Sequence, residues 1–93
     1  MTPEGKVKKE VKKWLEARGI WYAMPMGTGY GRSGVPDFIC CWQGKFLAIE
    51  TKAPGREKNT TVAQDRELAA IAAAGGTALV ISTPNALAFL DER

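Results

Sequence analysis

The sequence predicts an α/β domain: a mixed sheet with helices packed against it, in the order α-β-β-β-α-β-α. Three observations predict it. Apolar residues recur at helical spacing in two separate stretches, first Val7, Val11, Trp14 and Leu15, then Val62, Leu68, Ala69, Ile71 and Ala72. Two strand-like runs, Asp37–Trp42 and Lys45–Lys52, meet at Gln43-Gly44, which reads as a tight hairpin turn. A further apolar run, Thr77–Ser82, reads as a buried strand.

Each element follows from local chemistry. Thr2-Pro3-Glu4 starts the first helix, because Thr2 can cap and Pro3 suits the first turn. Gly19 ends it. Ile20–Met24 is a short strand candidate, and residues 27–34 (GTGYGRSG) form a loop. Ala53–Thr60 is polar and turn-rich, hence a second loop. The second helix runs over Thr61–Ala74 and stops at Gly75-Gly76. Pro84–Leu90 closes the chain as a short helix.

A chain of 93 residues makes one domain, residues 1–93, with a modest core and a corresponding role for partners. No apolar run approaches the roughly 20 residues of a membrane span, and no signal-peptide core is present, so no membrane is expected. Cys40 and Cys41 are adjacent on a strand and point to opposite faces, so they cannot form an ordinary disulfide with each other. A reducing cytoplasm fits best. The sequence contains no histidine, which removes histidine-based zinc sites, nucleases and Ser-His-Asp hydrolases together. Hydrolytic chemistry here must run on carboxylates, lysine and a metal. The net charge of +3 is unevenly spread. Lys6, Lys8, Lys9, Lys12 and Lys13 crowd the first helix, and Arg32, Lys52, Arg56 and Lys58 flank the central strands. Basic charge beside carboxylates suits a polyanion; the plainer reading of the helical lysines is a solvated face.

The chemistry concentrates at Gly34-Val35-Pro36-Asp37 and, after an apolar strand, Glu50-Thr51-Lys52. Strand side chains alternate, so Glu50 and Lys52 project to one side. A carboxylate and an ammonium side by side at the end of a buried strand are poor core material. They suit Mg²⁺ or Mn²⁺ and a water next to a phosphate. The glycine-rich loop leads into a strand and not a helix, so it is no dinucleotide fingerprint and no organic cofactor is expected. Tyr30 in that loop could stack on a base or serve as cover. Trp14 and Trp42 read as core or interface.

With Glu4 in the first helix, Arg32-Ser33-Gly34-Val35-Pro36-Asp37, the Glu50-to-Gly55 run and Gln64 early in the second helix, nearly the whole chain resembles a stand-alone, phage-type VRR-NUC domain of the PD-(D/E)xK nuclease superfamily. The resemblance implies a restriction-endonuclease-like core. It implies a Mg²⁺- or Mn²⁺-dependent DNA endonuclease acting on branched DNA such as four-way junctions, phage-encoded in a bacterial host. Asp37, Glu50, Lys52 and Gln64 would form the catalytic set. Asp37 and Glu50 would hold the metal, with the Thr51 carbonyl and with Glu4 directly or through water. Arg32, Ser33, Lys52, Arg56 and Lys58 would face the nucleic acid. The family often has leucine or valine where this chain has Thr51, whose side chain is expected to point away from the site with little effect. A symmetric homodimer would match the symmetry of a junction. Competing readings are a nucleic-acid-binding module without catalysis and an assembly protein with incidental carboxylates. Individually, Glu4 could merely favour a helix start, Glu50 and Lys52 could be a surface ion pair, and Gln64 could be a surface residue.

Overall fold

The computed structural model describes residues 1–26 and 31–92. Its elements run in the predicted order: α1 (Pro3–Ala17), β1 (Trp21–Ala23), β2 (Phe38–Trp42), β3 (Lys45–Thr51), α2 (Val62–Ala73), β4 (Thr77–Ile81) and a closing 3₁₀ helix, Pro84–Glu92. The stacking role considered for Tyr30, and the first half of the glycine-rich loop, lie outside the described residues.

Local signals act as expected at the ends. The Thr2 hydroxyl accepts the Gly5 N–H at 3.0 Å and caps α1. Gln43 (φ 52°) and Gly44 (φ 78°) are both left-handed, the backbone a two-residue hairpin needs to follow strand twist. The sheet order is β1-β2-β3-β4. The first three strands are antiparallel, and β4 runs parallel to β3 after the α2 crossover.

Register assigns the two faces. Tyr22, Cys40 and Leu47 are cross-strand neighbours, as are Phe38, Ile49 and Leu79. Their face meets Val7, Val11 and Leu15 of α1 and Leu87 and Leu90 of the closing helix, forming the core. Cys40 lies in that core, where burial pushes its thiol up to about 11, while Cys41 is exposed on the opposite face. Trp14 and Trp42 pack half-buried at the core's edge.

The second face is covered by α2, and less completely than periodicity implies. Leu68 and Ile71 are half-buried, but Val62, Ala69 and Ala72 are exposed. The reason is the direction imposed by Gln64, which points onto the sheet; residues three, four and seven further on, Glu67, Leu68 and Ile71, then share its side. Val62 faces the opposite way and is 83% exposed. Likewise Ala78, Leu79 and Val80 are half-buried, because β4 is the sheet's edge.

The segment leading into β2 is docked against α2. Gly34 (φ 78°) sits so close to the first turn of α2 that a Cβ there would lie 2.4 Å from the backbone C and O of Ala63. Only glycine fits both the conformation and the contact. Arg32 forms a two-pronged pair with the Glu67 carboxylate, Nε at 2.7 Å and Nη2 at 2.9 Å. Pro36 is fully buried and anchors Asp37 at the strand entrance.

Candidate active site

Four residues from three elements converge at the C-terminal end of β3. Glu50 and Lys52 project to the same side, with Lys52 Nζ 3.8 Å from Glu50 Oε2. Both are buried, which sets aside a surface ion pair. Gln64 joins them: its Oε1 accepts from Lys52 Nζ at 3.0 Å and its Nε2 donates to Glu50 Oε2 at 3.1 Å. The same Oε1 accepts the Thr61 N–H at 2.9 Å, and the Gln64 N–H donates to the Thr61 hydroxyl at 3.1 Å. This capping box fixes the start of α2 and the orientation of the Gln64 amide together.

Asp37 comes from the other side. Its Oδ2 accepts the Thr51 N–H at 2.9 Å and the Thr51 hydroxyl at 2.6 Å. The Thr51 side chain, expected to point away with little effect, thus touches one of the site's carboxylates. It does point to the opposite face from Glu50 and Lys52, but Asp37 precedes β2 and its carboxylate reaches that face. Lys8 Nζ lies 3.7 Å from Asp37 Oδ1 and 3.5 Å from Glu4 Oε2, between the two carboxylates. The sequence marked Lys8 only as one of several helical lysines, although its spacing from Glu4 already put the two side by side.

Electrostatics single out Glu50. Burial, then the nearby Asp37 charge, push its carboxyl up to about 7, against an opposing pull from Lys52. Two carboxylates held at one strand end form a donor set that a hard divalent cation fits. Among the described residues, no three His, Cys, Asp or Glu side chains cluster closely enough to hold an ion together. The fit thus rests on Asp37, Glu50 and backbone oxygen.

The pKa of Glu50 makes a prediction about the metal-free protein. Its folded value exceeds its ordinary value of 4.5, so its contribution to stability is complete below about pH 4.5 and lost as pH rises through about 7. Melting in EDTA is expected to occur a few degrees lower at pH 8 than at pH 5.5, roughly as a kcal/mol-scale effect requires in a small domain. Glu50→Gln should flatten that slope. An equal slope in the variant would mean that another group is responsible.

Beside these residues opens a cleft of about 510 Å³, walled by Glu4, Lys52, Arg56 and Asn59 with Ala53 and Pro54. Arg56 and Lys58 are exposed on the 53–60 loop. Arg32 is engaged by Glu67, and Ser33 Oγ accepts from Arg66 Nη2 at 3.4 Å, so both stand at the α2 side of the site. Glu67 was not singled out in the sequence. Its one signal was position, one helical turn beyond Gln64.

A solved structure titled "VRR_NUC domain" superimposes on the chain with a TM-score of 0.76 at 28% sequence identity, covering 100% of this chain and 98% of that one. The likeness runs the length of both chains and supports a VRR-NUC domain. Its four-stranded mixed sheet and helices match the restriction-endonuclease-like core expected of the PD-(D/E)xK superfamily, and it is a nuclease-type domain. No protein-family profile matches the sequence, and neither does any curated protein. No helix of the described residues is long and apolar enough to cross a membrane.

Proposed function

We propose that this VRR-NUC domain is a Mg²⁺- or Mn²⁺-dependent endonuclease that hydrolyses phosphodiester bonds in branched DNA as a homodimer. The observation that carries the reading is the meeting of Asp37, Glu50, Lys52 and Gln64 at one strand end beside an open, partly basic cleft.

Asp37, Glu50 and the Thr51 carbonyl would hold the cation, and Glu4 would reach it directly or through water. A cation held there would supply charge stabilisation at the phosphate oxygens and lower the pKa of a nearby water. Lys52 faces the same space and orients that water or stabilises charge developing on the phosphate. Gln64 holds the Lys52 ammonium and the Glu50 carboxylate in fixed relation, so neither must be ordered during the reaction. Arg56 and Lys58 contact flanking phosphates, with Ser33 and the outer edge of Arg32 near the second strand. The setting in this reading is the cytoplasm of a bacterial host carrying a phage.

Dimerisation is supported by an exposed apolar row on the sheet face away from α1. Trp21, Cys41 and Phe46 are cross-strand neighbours there, with Trp21 61% and Phe46 44% exposed.

A cleavage panel of four-way junction, flap, nicked and plain duplex DNA with Mg²⁺ or Mn²⁺, run beside light scattering, tests the whole reading. Paired symmetric cuts in a junction by a dimer are expected, with binding that weakens steeply as salt is added. A monomer, or a dimer that cuts duplex as well as junction, would remove the branched-DNA part. DNA binding without cleavage under any metal would leave the binding-module reading.

A further inference from the structure

The 53–60 loop carries one carboxylate, Glu57, set between the two cations offered to DNA, Arg56 and Lys58. A negative charge in that place opposes a polyanion unless it has another task. Its Oε2 accepts from the Ser82 hydroxyl, just past the end of β4, and meets the Gly55 N–H at 3.4 Å. We infer that Glu57 is a positioning residue for DNA binding: by gripping Ser82 it holds the loop in the shape that presents Arg56 to the cleft. The inference rests on the nuclease reading and adds how the basic wall of its cleft is kept in place.

Both ends of the loop are tied independently of Glu57. The Lys52 N–H donates to the Ile81 carbonyl at 2.9 Å, so the chain leaves β3 alongside the end of β4. At the far end the Thr60 hydroxyl donates to Asp65 of α2. Between them run two turns, closed by the Arg56 N–H on the Ala53 carbonyl and by the Asn59 N–H on the Arg56 carbonyl, each at 2.9 Å. Arg56 is shared by the two turns, and it lines the cleft together with Asn59. Turns with exposed backbone open easily. Among the described residues, Glu57 is the only side chain of positions 53–59 that hydrogen-bonds to the rest of the fold. The Ser82 hydroxyl, then the backbone N–H of Glu57 itself and that of Gly55, hold its carboxyl below the usual carboxylate range. The carboxylate is thus charged at neutral pH, and its bond to Ser82 is charge-assisted. Glu57 is half-buried while Arg56 and Lys58 are exposed on either side of it, and among the described residues it pairs with neither. Its charge serves the shape of the loop and does not neutralise its neighbours.

The test is fluorescence anisotropy of a labelled four-way junction and of plain duplex, titrated with protein in EDTA over a range of salt. Ser82→Ala removes the grip and leaves every charge in place. It is expected to weaken DNA binding about threefold to tenfold, the scale of one exposed hydrogen bond. The slope of log K against log salt should fall by about one, the mark of a lost phosphate contact. Ser82→Thr, which keeps the hydroxyl, should bind as the parent does. Glu57→Ala should also weaken binding, although removing a negative charge by itself would strengthen it. In the Ser82→Ala background, where no grip remains, the same change should strengthen binding. Mn²⁺ affinity and the single-turnover rate on saturating DNA should stay parental in Ser82→Ala; a fall in all three together would mark a merely structural role and overturn the inference. Should Ser82→Ala not fold, the sign of the Glu57→Ala effect decides. Parent-like binding by Ser82→Ala, or tighter binding by Glu57→Ala alone, would overturn the inference and leave the nuclease reading intact. Ser82-dependent binding in a protein that cuts no DNA would support the inference and end the nuclease reading. A parent protein that binds no DNA would overturn both.

Discussion

Asp37→Ala and Glu50→Ala are each expected to abolish DNA cleavage by a protein that remains folded. The two carboxylates reach the end of β3 from opposite sides, and no histidine is present in the chain to replace either as a ligand. Losing several kcal/mol of charge stabilisation at the phosphate corresponds to a fall on the order of a thousandfold or more in rate. Excess EDTA should act on the parent protein in the same way. The two variants should differ in stability. Glu50 is buried with its carboxyl pushed up to about 7, so removing it relieves a strained charge at neutral pH. Removing Asp37 leaves the Thr51 hydroxyl buried without its acceptor. Glu50→Ala is therefore expected to melt at a higher temperature than Asp37→Ala at pH 8, measured without metal. Unchanged turnover by either variant would end the metal-site mechanism.

Lys52→Ala is expected to keep most metal and DNA affinity and to lose most of its turnover, by roughly a hundredfold to ten-thousandfold, the range typical of a group acting in the transition state. The lysine is almost enclosed and is held by Gln64, so it contributes little open surface for docking a phosphate in the ground state. Single-turnover cleavage of pre-bound DNA separates the two roles. A variant that binds DNA poorly but cuts bound DNA at the parental rate would make Lys52 a docking residue instead.

The Glu50–Lys52 side of this site was legible in the sequence because strand alternation is a local rule, whereas Gln64 came from the family resemblance and helical spacing turned Val62 inward instead. Glu50 and Lys52 stand two apart on a strand, which fixed their common side before any fold was known. Gln64 sits at the third position of a helix begun by Thr61, and that capping geometry turned it toward the sheet. The rest depends on contacts between distant parts of the chain. Asp37 opens the predicted strand but precedes β2 in the structure, so alternation could not say that its carboxylate would reach the Thr51 hydroxyl. The Arg32–Glu67 pair spans 35 positions. The exposed side of α2 was misread for a related reason. Composition gave an alanine-rich helix with several apolar faces to choose from, and only the polar anchor at Gln64 selected among them.

The docking of the 31–36 segment on α2 has a consequence for how the site tolerates change. Arg32 and Gly34 clasp α2, Gln64 of α2 grips Glu50 and Lys52 on β3, Thr51 of β3 holds Asp37, and Asp37 leads back to Gly34. The path is a closed circuit of short links. In a circuit, slack introduced anywhere is shared everywhere. A substitution such as Glu67→Ala, one helical turn from Gln64, would loosen the spacing between the two carboxylates although it touches neither. The circuit lets 93 residues hold a multi-residue site without a large core behind it, and it makes the sheet-facing side of α2 as sensitive to alteration as the motif itself.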